Sequence, residues 1–142
     1  MQYYEDFKVG DVMISQGRTV TETHIVVFGG LSGDFHQLHM NAEFARKGPH
    51  GERIAYGFLI LTMASGLMDM DDIDAVAFYG MDKVRFVGAT KINDTIHIER
   101  EVVELIDKGD LGGVVAFKVT VKNQKDEPAC IFIMKLLVKS KS

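Results

Sequence analysis

The hydrophobic pattern of the chain changes character near residue 72. Before that point apolar residues recur at helical spacing or in irregular runs; from about residue 75 they alternate. In the first half, Val20-Thr21-Glu22-Thr23 reads as a helix start, with Thr21 as N-cap and Glu22 near the positive end of the helix dipole. Ile25, Val26, Phe28 and Leu31 give this helix an apolar face. Gly29, Gly30 and Gly33 are expected to end it and let the chain turn. Asn41 caps a short second helix over residues 42–46, and residues 47–57 form a loop. A third helix runs from about residue 58 to 68 and is apolar nearly all round, which predicts burial on every side. Asp69, Asp71 and Asp72 follow where the dipole disfavours acids, so the helix has ended by then.

The second half alternates with the period of a strand. Val84 and Phe86 stand against Lys83 and Arg85. Ile96, Ile98 and Val102 stand against His97, Glu99 and Arg100, and Phe117, Val119 and Val121 against Lys118, Thr120 and Lys122. Phe132, Met134, Leu136 and Val138 finish the series. Turn signals at Asn93-Asp94, Lys108-Gly109-Asp110 and residues 124–128 separate the strands, and connections this short make the sheet antiparallel. Residues 11–15 add a further strand. A buried helix followed by long antiparallel strands is an α+β arrangement, most simply packed by curling the sheet around the helix. The edge of such a sheet must be covered, and dimerisation is a common way to do so.

Composition narrows the reading. The 142 residues form one domain, spanning 1–142, large enough for a real core. A net charge of −4 argues against a nucleic-acid partner. The single cysteine, Cys130, excludes an intramolecular disulfide and sits in an apolar run as a small buried hydrophobe. No basic-then-apolar leader is visible, and no apolar run approaches the length needed to span a bilayer. The expected setting is a reducing cytoplasm, away from membranes. His24, His50 and His97 do not cluster with acids or the cysteine at ligand spacing, so no metal is expected. The Gly29-Gly30…Gly33 cluster lacks the Gly-Lys-Ser/Thr ending of a phosphate loop. No cofactor is called for.

The richest chemistry lies in residues 31–45. Asp34 follows Gly33 and precedes His39 by five residues, between two short helical segments. Asp and His are the side chains best suited to moving protons near neutral pH, and a loop held by packed elements can aim them at a substrate. Taken alone, Asp34 is also a common turn former and His39 a common hydrogen-bonded core residue.

These residues resemble the MaoC-like family of (R)-specific enoyl-CoA hydratases, which have the hot-dog fold. Ser32-Gly33-Asp34-Phe35, Leu38-His39 and Ala45 match one motif of that family. Arg53-Ile54-Ala55-Tyr56-Gly57-Phe58-Leu59 matches a second, and Tyr4-Glu5-Asp6-Phe7-Lys8-Val9-Gly10-Asp11 the family's opening. Three positions depart: His36 and Gln37 replace an Asn-Pro pair that would stiffen the loop, and Tyr56 replaces a His.

The resemblance implies an antiparallel sheet wrapped around a long buried helix, and reversible syn addition of water to a trans-2-enoyl thioester. Asp34 would deprotonate the water and His39 would hold it and supply the proton to C2. The Gly57 amide, at the positive start of the third helix, would bind the thioester oxyanion. Ser65 and Tyr56 would complete the oxyanion and substrate-binding group. His36 is either an added substrate contact or a solvent-side loop residue. The partner implied is an acyl-CoA or acyl carrier protein thioester, and the assembly a homodimer or larger. Two other readings stand beside this one: a hot-dog thioesterase, from which the Gly-Asp…His motif points away, and a non-catalytic acyl-CoA-binding module.

Overall fold

A computed structural model of the chain describes residues 1–141. After a 3-10 turn at Tyr4–Asp6, strands β1 (Val12–Ile14) and β2 (Arg18–Thr19) precede four helices: α1 (Glu22–Ser32), α2 (Gln37–Met40), α3 (Ala42–Arg46) and α4 (Gly57–Leu67). Four long strands follow: β3 (Ala75–Phe86), β4 (Thr95–Asp107), β5 (Gly113–Lys122) and β6 (Pro128–Val138). They form one antiparallel sheet in the order β1-β4-β5-β6-β3, with β2 also paired to β4. The α+β architecture is therefore as expected. The strand expected over residues 11–15 is β1; β2, which the pattern does not announce, follows it, and both are laid on β4.

The alternation of β4 to β6 translates directly into burial. Ile96, Ile98, Val102, Phe117, Val119, Val121, Phe132, Met134, Leu136 and Val138 all face the core, together with Leu59, Ile60, Met63, Ala64 and Leu67 of α4. One face of the sheet thus closes on one face of α4, which removes both apolar surfaces from water. β3 starts at residue 75, where the strands were expected to begin, and runs twelve residues. Of the two apolar positions expected to alternate inward, Val84 is half-buried and Phe86 is exposed, and the pairing with β6 shifts register three times. Lys83 within it has φ +54°. These irregularities interrupt the period-two signal.

Three helix expectations also change. Gly29 and Gly30 lie inside α1, and Gly33 alone ends it, as a left-handed residue with φ +76°. The inward face of α1 is Ile25, Phe28 and Gly29; Val26 and Leu31 point to solvent. The third helix starts at Gly57, and its burial is one-sided: Phe58 is 73% exposed, and Thr62, Ser65 and Gly66 are exposed with it. The N-cap assignments stand. The Thr21 amide donates to His24 Nδ1 at 2.9 Å, and Asn41 Oδ1 accepts from the Phe44 amide at 3.0 Å.

Gly33 places the residue after it. A Cβ at this position would meet no atom within 4 Å, so the cost of Gly33→Ala is conformational alone. We expect a loss of about 1–2 kcal/mol, the cost of the left-handed region for an L-residue, measured by urea unfolding. Among the described residues no helix is long and apolar enough to cross a membrane.

Candidate active site

The segment 33–41 hangs between α1 and α3, and its conformation is written into its own side chains. Ser32 Oγ accepts from the Asp34 amide at 3.1 Å, and Asp34 Oδ1 accepts from the His36 amide at 3.0 Å. His36 Nδ1 accepts from the Leu38 amide at 3.1 Å, which caps α2. An Asn side chain makes the same kind of cap, so His36 keeps the local structure of the position it fills. It is exposed, and its ring centroid lies 6.2 Å from that of His39.

His39 is half-buried on α2. Its Nδ1 lies 2.7 Å from the Ile54 carbonyl oxygen. A carbonyl only accepts, so Nδ1 carries the hydrogen, and Nε2 is the ring nitrogen left for a ligand. The backbone behind it is clamped as well. Arg53 Nε donates to the His39 carbonyl at 2.6 Å, and its NH1 reaches both Glu22 carboxylate oxygens at 2.9 and 3.0 Å, fixing α2 to the start of α1.

Tyr56 joins the two parts of the site. Its hydroxyl donates to the Asp34 carbonyl oxygen at 2.6 Å. Its ring stacks on His39, with centroids 3.9 Å apart and planes 30° apart, and packs on Phe28 at 5.0 Å. Burial first, and the nearby Asp34 charge second, raise the Tyr56 hydroxyl above the usual tyrosine pKa, with Arg53 opposing. The phenol therefore stays protonated and stays a donor.

Gly57 opens α4. The first intrahelical bond runs from the Ile60 amide to the Tyr56 carbonyl at 3.2 Å, and no side chain caps the helix start. The amides of the first turn are therefore open to a ligand oxygen at the positive end of the helix. A Cβ on residue 57 would sit 2.9–3.1 Å from the Phe86 ring, so a side chain there is in conflict with that wall. Beside it lies a pocket of about 310 Å³, whose lining includes His39, Gly57, Phe58, Phe86, Thr90 and Ala129. The Ala55 amide donates to the Thr90 carbonyl at 2.7 Å, which pins the Arg53–Tyr56 segment to this wall.

The structure thus brings His39 and Gly57 to one apolar pocket and ties the Asp34 backbone to the same cluster through Tyr56. The Asp34 side chain is exposed and does not line that pocket; its Oδ1 accepts from the His36 amide. Two expected residues lie elsewhere. Tyr56 is only 3% exposed and does not line the pocket; its hydroxyl is engaged by the Asp34 carbonyl. Ser65 donates to the Thr62 carbonyl at 2.6 Å and lines a separate recess with Met13, Gln16 and Asp69. It stands about 12 Å along α4 from Gly57. Arg53, the Ile54 carbonyl and Phe86 were not singled out from sequence. Arg53 sits inside the second family-like motif, which marks it; a backbone carbonyl and a ring from a distant strand leave no such signal. Cys130 is fully buried, and burial pushes its thiol up to about 11, so it is no nucleophile near neutral pH. Among the described residues no three His, Cys, Asp or Glu side chains gather to hold a metal.

Residues 7–125 match the MaoC-like domain, and the chain belongs to that family of hydratases and dehydratases. It is 37% identical over 98 residues to protein MaoC of Klebsiella aerogenes, covering 68% of this chain but only 29% of that protein. It is 29% identical over 106 residues to an (R)-specific enoyl-CoA hydratase of Rhodospirillum rubrum, covering 75% and 73% of the two chains. A solved Archaeoglobus structure described as a monoamine oxidase regulatory protein superposes with TM-score 0.94 at 37% identity, covering 99% of this chain and 96% of that one. A Mycobacterium tuberculosis protein with a double hot-dog fold superposes with TM-score 0.85 at 18% identity, covering 99% and 44%. The fold of this chain is the hot-dog fold.

Proposed function

We propose that this chain catalyses reversible syn hydration of a trans-2-enoyl thioester to the (R)-3-hydroxyacyl thioester. The observation that carries the reading is the hydrogen bond from His39 Nδ1 to the Ile54 carbonyl, which leaves Nε2 for the pocket that also begins at the Gly57 amide. Water is a poor nucleophile, so its proton must be removed as it attacks C3. Asp34 takes that proton. Protonated His39 delivers a proton from Nε2 to C2, and the proton on Asp34 returns to His39, so the pair ends as it began. Negative charge that develops on the thioester oxygen is met by the Gly57 amide. The apolar pocket walls receive the acyl chain.

The substrate is an acyl-CoA or acyl carrier protein thioester, and the working form a homodimer or larger assembly. Phe58 and Phe86 bound the pocket yet are 73% and 52% exposed, and the edge strand β3 exposes Val76, Phe78 and Tyr79. A second copy covering these residues removes the apolar surface from water and closes the pocket. A cytoplasmic setting belongs to the same proposal, in keeping with a lone, buried thiol.

A second reading has one observation behind it: the Archaeoglobus relative is described as a regulatory protein. The test is a panel of enoyl-CoAs followed by loss of the conjugated-alkene absorbance. The account expects turnover without release of free CoA. CoA release from saturated acyl-CoA favours a thioesterase, and tight acyl-CoA binding without turnover favours a binding module.

A further inference from the structure

We infer that Tyr56 is a positioning residue that sets the placement of both Asp34 and His39: its hydroxyl fastens the Asp34 turn and its ring backs the His39 imidazole. The inference rests on the reading of Asp34 and His39 as the proton-transfer pair, and it adds the residue that makes them a unit.

The Asp34 turn is weakly held by its own contacts. Asp34, Phe35 and His36 are all exposed. Among the described residues, every other hydrogen bond made by residues 33–36 stays within four positions in sequence: to Gly29, Ser32, Leu38, His39, Met40 or within the turn itself. Bonds of that range shape a turn without attaching it to the rest of the protein. The bond from Tyr56, 22 residues away, is what attaches it. His36 and Gln37 stand where the resembling motif has Asn-Pro, so this turn lacks the fixed φ of a proline. Tyr56 supplies the restraint from outside, through a side chain that is itself immobilised by His39 on one side and Phe28 on another.

Gly29 records the same arrangement from the opposite direction. A glycine inside a helix costs about 1 kcal/mol relative to alanine, and α1 carries two. A Cβ at Gly30 would meet nothing within 4 Å, whereas a Cβ at Gly29 would sit 2.9 Å from the Tyr56 hydroxyl oxygen and in collision with the Met40 methyl. The space left by the missing side chain is where the hydroxyl lies as it reaches the Asp34 carbonyl. Gly29 and Tyr56 are therefore coupled through one oxygen atom.

Tyr56→Phe removes that oxygen and keeps the stack. We expect kcat for enoyl-CoA hydration to fall about tenfold with KM within twofold, since small misplacement of a catalytic group acts on the chemical step. Amide hydrogen exchange at residues 34–37, measured without substrate, should accelerate while exchange in β4 to β6 is unchanged. Gly29→Ala displaces the hydroxyl and should cost a similar factor in kcat, but should add little on top of Tyr56→Phe. Unchanged exchange at residues 34–37 in Tyr56→Phe overturns the inference whatever the activity, as does wild-type kcat in an enzyme that turns over. If the wild-type protein hydrates no enoyl thioester, the hydratase reading falls, and the exchange measurement alone decides whether Tyr56 fastens the turn.

Discussion

His39→Ala is expected to lower kcat for enoyl-CoA hydration by roughly 10²–10⁴-fold, the usual worth of a positioned acid–base group. The substitution takes away the nitrogen that faces the pocket and leaves the Ile54 carbonyl without its donor. Stability should fall by about 1–3 kcal/mol, the cost of an unpaired polar group, which leaves the protein folded. Asp34→Asn is the sharper companion. The amide oxygen of asparagine still accepts from the His36 amide, so the turn built on that bond is kept. Only the base is removed. A loss of the same order in Asp34→Asn, with unfolding by urea unchanged, assigns the effect to proton transfer. Steady-state kinetics of both variants decide the matter, and full activity in either contradicts the role given to that residue.

The second large effect is expected at the start of α4. Gly57→Val puts a branched side chain where even a Cβ meets the Phe86 ring at 2.9–3.1 Å. Valine is acceptable at the first position of a helix, so the stability cost is that of the clash with Phe86, about 1–3 kcal/mol. The pocket mouth and the approach to the amide should be lost, and with them the oxyanion donor. Loss of one such donor typically costs about 10²–10³-fold in kcat. Phe86→Ala, added to Gly57→Val, makes room for the methyl groups and should recover part of the loss. Partial recovery identifies the steric cause; wild-type kcat/KM in Gly57→Val itself contradicts the oxyanion role.

How much of this was legible in the sequence depends on where each contact originates. β6, the start of β4 and residues 117–121 of β5 declare themselves because one face is buried in the core, and burial on one face produces alternation; residues 113–117 of β5 are buried on both faces. β3 shows the alternation only over residues 83–86, since it lies at the sheet edge, is exposed along most of its length and carries three register shifts. The apolar face drawn for α1 and the all-round burial drawn for α4 fail for one reason. Val26, Leu31 and Phe58 are apolar yet exposed in the single chain. Hydrophobicity marks surfaces that leave water without saying whether the chain itself or a second molecule covers them.

The candidate site divides along the same line. Asp34, His39 and Gly57 are readable because each belongs to a short motif whose geometry is local: a left-handed Gly33, a one-turn helix, a helix start. The carbonyl that orients His39 and the ring that guards Gly57 come from other segments, and no spacing announces them. Ser65 lines a different recess of the single chain. Eight residues along a helix turn a side chain by about 80° and carry it about 12 Å, so a serine on the same helix as Gly57 need not share its pocket.

The central claim is that one carboxylate and one imidazole handle a single water on one face of the alkene. Hydration of crotonyl-CoA in D2O, followed by stereochemical analysis of the product, tests it most directly. The account predicts the (R)-3-hydroxyacyl product with deuterium at C2 added to the same face as the new hydroxyl at C3. Addition to opposite faces, or formation of the S alcohol, would contradict it.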